Sequence, residues 1–139
     1  MSNRYAVRFR QAEADLRHAR HSLEKSDFEW CCFAAHQAAE KALKAVFLKI
    51  GMDAWGHTIT VLIGNLPRTI DAPPESLVNT ARMLDKYYIP TRYPNGFESG
   101  APTDFYTIEE ARNAIQQAEA ILEFCRYQID KSCSNQGSG

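Results

Sequence analysis

Tyr5, Phe9, Ala12, Leu16, Ala19 and Leu23 recur at alternating steps of four and three. That spacing predicts a helix from about Arg4 to Lys25 with one continuous apolar stripe. Ser26-Asp27-Phe28-Glu29 then reads as a capping box, with Ser26 as the cap and Glu29 reaching back to it. It opens a second helix to about Ile50, closed by Gly51 at the C′ position. Phe28, Trp30, Cys31, Cys32, Phe33, Ala34 and Ala35 make its first half apolar nearly all round, the pattern of a buried central helix. The later half carries Glu40, Lys41, Lys44 and Lys49, so one side there must reach solvent or a ligand.

A short third helix is predicted over Thr58 to Leu66 and is stopped by Pro67. Pro73-Pro74-Glu75 starts a fourth, because proline suits a first turn and an acid suits a helix N-terminus. Leu77, Ala81, Leu84 and Tyr88 form its stripe, and Pro90 ends it. From Pro90 to Tyr106 the chain is rich in proline, glycine and aromatics. Thr107-Ile108-Glu109-Glu110 is a second capping box, launching a last helix with Ile108, Ala111, Ile115, Ala118, Leu122, Cys125 and Ile129 on one face. Residues 132–139 read as a polar tail expected to be disordered. No segment shows useful strand alternation, so the expected fold is all-α. It is an up-and-down bundle of about five helices over residues 1–131, with a long loop before the last helix. Long loops in compact domains are often functional, although the aromatics of this one would also serve to cap the end of the bundle.

At 139 residues the chain is one domain's worth. A composition 45% hydrophobic and 24% charged argues against bulk disorder. No apolar run approaches the ~20 residues of a membrane span, and Met1-Ser2-Asn3-Arg4 does not lead into a signal-peptide core. A cytoplasmic location is therefore expected. The net charge of −1 argues against a chain-wide nucleic-acid coat and confines any polyanion site to a local patch. Cys31, Cys32, Cys125 and Cys133 are expected as free thiols. Cys32 and His36 have the i,i+4 spacing of a metal pair, but no second pair at ligand spacing accompanies them. The first helix is basic, with Arg4, Arg8, Arg10, Arg17, Arg20 and Lys25, and the last is acidic. The two are either neighbours in one bundle or meet across a two-fold axis between copies.

The run Ala34-Ala35-His36-Gln37-Ala38-Ala39-Glu40-Lys41-Ala42-Leu43-Lys44-Ala45 resembles the second-helix signature of HEPN domains. Thr91-Arg92-Tyr93-Pro94-Asn95 resembles that family's RYP-containing loop before the last helix, and His57 after Gly56 fits the same order. Among its members the chain looks most like the C-terminal HEPN domain of sacsin, a very large chaperone-related protein. The resemblance implies a helical bundle that dimerises and binds nucleotides or nucleic acid, with ribonucleases in some branches. From the sacsin-like side it implies a chaperone-linked cytoplasmic setting, with an Hsp70-type system as partner through the parent protein. In the ribonuclease branches an arginine precedes a histidine by four to six intervening residues near the last helix. His18, His21, His36 and His57 lack that arrangement here, and the last helix contains no histidine. A non-catalytic module is therefore expected.

A nucleotide site needs cations or amide donors for phosphates and an aromatic face for the base. Neither Gly-x-x-x-x-Gly-Lys-Ser/Thr nor Gly-x-Gly-x-x-Gly is present, so side chains must do this work. Lys41 and Lys44 lie three apart on the second helix, and Lys86 and Arg92 flank the end of the fourth beside Tyr87, Tyr88 and Tyr93. Arg92 offers a bidentate fork, Tyr93 a stacking surface, His57 a charge that varies near neutral pH, and Asn95 an amide in the turn. Each also has a plain structural role open to it: solvated lysines, a loop-ordering arginine, tyrosines packed on the bundle, and a histidine that merely precedes the cap at Thr58. The expected function is a homodimer that binds a GTP- or ATP-type anion, with or without Mg²⁺ and with no required cofactor. The alternative is a purely structural dimerisation or docking domain, and a HEPN-type ribonuclease ranks last.

Overall fold

The computed structural model describes residues 3–88 and 106–137, of which 132–137 contribute backbone alone. Arg92, Tyr93, Asn95 and most of the long loop lie outside these residues. The described chain forms α1 (Arg4–Glu24), α2 (Phe28–Lys49), α3 (Ile59–Gly64), α4 (Glu75–Leu84), a 3₁₀ turn (Asp85–Tyr87) and α5 (Ile108–Gly137), with no strand among the described residues. The fold is therefore all-helical, as the periodicity predicts. α5 continues past Lys131, where the sequence pattern places the start of the polar tail.

Burial follows the stripes. α2 is the central helix, and Ala35, Ala38, Ala39, Ala42, Leu43 and Ala45 on it are fully buried. α1 presents Ala12 and Ala19 to the core, and α5 presents Ala111, Ala114 and Ala118. Small side chains let these three helices approach closely, while Leu43, Phe47 and Ile121 fill the space between them. α3 and α4 close one flank through Ile59, Leu62, Ala81 and Leu84. α1 and α5 are neighbours within one chain, laced by Arg20–Glu119 and by Arg126–Glu13 at 2.8 Å. The charge asymmetry between them is thus partly spent in cis. Pairs this exposed contribute at most about 1 kcal/mol each.

Helix ends agree with the sequence in two places and differ in one. Thr107 and Glu110 form the reciprocal box: the Glu110 amide donates to Thr107 Oγ1 at 3.1 Å, and the Thr107 amide to Glu110 Oε1 at 3.0 Å. At the end of α2, Gly51 has φ +74°. Its amide and that of Met52 donate back to Leu48 and Phe47, closing a Schellman motif. Ser26, however, is not an N-cap. It has φ +64° and sits one residue past the C-cap of α1, its amide donating to Leu23 at 3.0 Å while the Asp27 amide donates to Ser22 at 2.8 Å. The connection is so short that this residue must terminate α1, and Asp27 takes the cap position of α2 without a side-chain bond. A second difference lies at the start of α2. Trp30 is 55% exposed and Phe28 and Phe33 are half-buried, because α1 and α5 cover only part of the helix there.

Candidate functional site

The uncovered aromatics of α2 wall a half-open cleft of about 360 Å³, lined by His18, Trp30, Phe33, His36, Gln37, Glu40, Tyr87 and Tyr88. Phe33, Gln37 and Glu40 are successive positions on one helix face, so α2 forms its floor. The opposite wall is the segment after α4, whose 3₁₀ turn brings Tyr87 and Tyr88 over α2. Trp30 and Phe33 meet edge to face at 5.7 Å, and Phe33 meets Tyr106 in the same way. Tyr88 stacks on His36 at 5.5 Å and on His57 at 6.5 Å, with interplanar angles of 30° and 18°.

Asp85 holds this wall in place. Its carboxylate accepts hydrogen bonds from the Ile59 amide at 2.7 Å, the Thr60 amide at 2.8 Å and His36 Nε2 at 3.0 Å. One side chain thereby joins α2, the first turn of α3 and the tyrosine-bearing turn. Burial works against its charge, but the bonds from His36, Thr60 and Ile59 prevail and hold the carboxyl below its ordinary value. His36 must present Nε2–H to the carboxylate, which fixes its tautomer or its charged state. His36 is 3% exposed and stacks against Tyr88 from within the bundle.

A second carboxylate, Glu40, organises one end of the cleft. Glu40 Oε2 lies 2.8 Å from Lys44 Nζ and 3.1 Å from His57 Nδ1. The Nδ1 proton belongs on the carboxylate contact, so the 3.5 Å approach of Lys44 Nζ to Nδ1 is proximity between two groups sharing one acceptor. Gly56, with φ +96°, delivers His57 to this position. A Cβ there would come within 2.9 Å of Val61 Cγ1. Thr58 caps α3 with Oγ1 accepting from the Val61 amide.

Of the residues singled out from sequence, Lys44 and His57 are brought together on Glu40. Lys41 turns to α1, pairing with Asp15 at 2.6 Å, and, like Lys44 and His57, is not among the residues that line the cleft itself. Lys86 is exposed on the 3₁₀ turn. The sequence reading did not single out Trp30, Phe33, Gln37, Glu40 or Asp85 as site residues. The excess of aromatics on α2, more than two neighbouring helices cover, was the available signal. Cys32 and His36 do not make a metal pair, since His36 is engaged by Asp85. No group of three or more histidines, cysteines, aspartates or glutamates among the described residues is placed to hold a metal. Cys31 and Cys32 are buried, and burial pushes their thiols up to about 11 and about 12. Cys125 is raised further by the same cause. No helix among the described residues is long and apolar enough to cross a membrane.

A HEPN domain family model matches residues 5–128. TT1696 from Thermus thermophilus is a solved structure 47% identical to this chain, covering 91% of it and 99% of its own length with a TM-score of 0.85. ST0689, described as an archaeal HEPN homologue, is 36% identical over 93% of this chain and 99% of its own, with a TM-score of 0.77. Among curated proteins, "Putative toxin MJ1304" of Methanocaldococcus jannaschii is 29% identical, covering 86% of this chain and 85% of its own. A central α2 flanked by α1 and α5, and a family match that runs from the first turn of α1 to the buried end of α5, lead to one conclusion: this chain belongs to the HEPN domain family.

Proposed function

We propose that this HEPN domain binds a nucleotide in the cleft between α2 and the Asp85–Tyr88 segment and catalyses no reaction itself. The observation that carries the reading is the pairing of ring faces with cations at one site. Trp30 and Phe33 supply surfaces for a base, Tyr88 closes the opposite wall, and Lys44 and His57, gathered on the cleft-lining Glu40, stand beside the cleft for a phosphate. Gln37, exposed on the cleft floor, adds an amide able to donate and accept along a base edge. Glu40 keeps Lys44 and His57 in register. Arg92, Tyr93 and Asn95 are proposed to contribute a phosphate fork, a further ring and an amide, and Lys86 an outer cation. The homodimer and the sacsin-like, Hsp70-linked setting rest on the family resemblance alone.

The test is titration calorimetry of the purified chain with ATP and GTP, with its mass in solution recorded alongside. Binding in the micromolar range that weakens with salt and is lost in Tyr88→Ala is expected, because phosphate contacts are screened and base stacking is not. No heat at millimolar nucleotide from a folded chain refutes the reading and leaves an assembly domain. A second reading is favoured by the toxin name of the archaeal relative and by the Glu40–His57 pair, which has the form of an oriented general base. Cleavage of single-stranded RNA by the chain, abolished in His57→Ala, would move it to that reading.

A further inference from the structure

On the far side of Lys44 from the cleft lies a smaller pocket of about 180 Å³ between the first turns of α1 and the last turns of α2. Arg4, Arg8 and Lys44 line it, and Asp53 is the one carboxylate among its lining residues. We propose that this pocket is a polyphosphate subsite, receiving the terminal phosphates of a nucleoside triphosphate whose base occupies the aromatic cleft. The link to a base rests on the reading of the cleft given above, whereas the pocket's own preference for polyphosphate does not.

Four observations carry the inference. The pocket is smaller than the ~300–1,000 Å³ that encloses a whole small molecule, so it suits a charged group at the end of a larger ligand. Its cations come from two helices and line one cavity, and Arg8 is half-buried with no acidic partner among the described residues. α1 begins against the usual rule. Its first turn holds no acid, and Asn3 makes no side-chain cap bond. Arginines there add to the positive end of the helix dipole instead of offsetting it, an arrangement that costs local stability and strengthens the field on an anion. Lastly, Gln37, Glu40, Lys44 and Leu48 follow one face of α2, so the cleft and the pocket succeed one another along the same side of that helix. Gln37 and Lys44 are about 10 Å apart along the axis, a distance that a sugar and its phosphates span. Lys44 is the shared post, held by Glu40 on the cleft side and lining the pocket on the other. Phe47 and Leu48 give the pocket an apolar floor, which lowers the local dielectric and strengthens charge-assisted bonds there.

Calorimetry with AMP, ADP, ATP and inorganic tripolyphosphate, on the full chain at low salt, tests the assignment. In the unaltered chain affinity rises with phosphate number, and tripolyphosphate binds alone. Arg8→Ala weakens ATP and tripolyphosphate about tenfold, or ~1.4 kcal/mol, while AMP binding stays as it was. Arg8→Met, which keeps the stem without the charge, gives the same result, separating charge from packing. Tyr88→Ala weakens AMP and ATP alike and spares tripolyphosphate. An ATP-to-AMP ratio unchanged by either Arg8 variant, or tripolyphosphate binding indifferent to Arg8, overturns the subsite. Arg8-dependent tripolyphosphate binding without any nucleotide binding upholds the subsite and refutes the cleft reading, so the two fail separately.

Discussion

Replacing Asp85 with alanine removes the acceptor of three hydrogen bonds at one stroke, and its cost can be worked from the contacts. Charge-assisted bonds contribute about 1.5–3 kcal/mol each, but the three do not simply add. Thr60 is half-buried in the first turn of α3 and its amide can regain water, whereas Ile59 is fully buried, so the share of the two amides is at least that of a lost helix cap, about 1 kcal/mol. His36 has no such recourse. Its side chain is 4% exposed, and a stranded buried donor costs about 2 kcal/mol. The expected loss for Asp85→Ala is therefore ~3 kcal/mol, or a fall in Tm of roughly 10 °C for a chain of this length. Urea denaturation followed by circular dichroism measures it, with Asp71→Ala as control. Asp71 pairs with Lys131 on the surface at 2.7 Å, where both side chains are more than a third exposed, and accepts only a long 3.4 Å bond from Gln128, so its loss should be clearly the smaller of the two. A double-mutant cycle between His36→Ala and Asp85→Ala should return a coupling of at least about 1 kcal/mol. A loss for Asp85→Ala no larger than that of Asp71→Ala, or a coupling near zero, refutes the claim that this carboxylate clamps the wall of the cleft.

Acid should act through the same groups. Asp85 and Asp71 both titrate below their ordinary value in the folded chain, so the unfolded chain takes up protons first as pH falls. Their stabilisation is complete above the unfolded carboxylate value of about 4 and drains away below it. Unfolding free energy measured from pH 6 to pH 3 should fall on the acid side, less steeply in Asp85→Asn. Backbone conformation supplies an opposed pair. Gly51→Ala should destabilise by about 1 kcal/mol, since φ is +74° and nothing else lies near the new Cβ. Ser26→Gly should stabilise by up to about 1 kcal/mol by relieving the same conformation, and thermal melts of both variants report the signs. Ellman's reagent at pH 8 should leave Cys31, Cys32 and Cys125 unmodified in the native chain, because burial disfavours their thiolates, and should reach all four cysteines in denaturant.

What the amino-acid sequence determined by itself was the set of helices and most of their ends. Those depend on groups within about four residues of one another: the apolar period, the Thr107–Glu110 box, Gly51 after α2, the prolines before α4. The core was legible for the same reason, since stripes of alanine and leucine on α1, α2 and α5 can bury only against each other. Ser26 was misread because two local rules compete over a short connection, and terminating α1 prevailed over capping α2. The site belonged to the tertiary structure. Asp85 meets His36 across 49 positions, and His57 meets Glu40 across 17. Trp30 and Phe33 line a cleft only because α1 and α5 leave that face of α2 uncovered. Periodicity says that a helix has an apolar face and counts how much of it there is. Which part stays open to a ligand is decided by how far the neighbouring helices reach, and that is a property of the packed bundle alone.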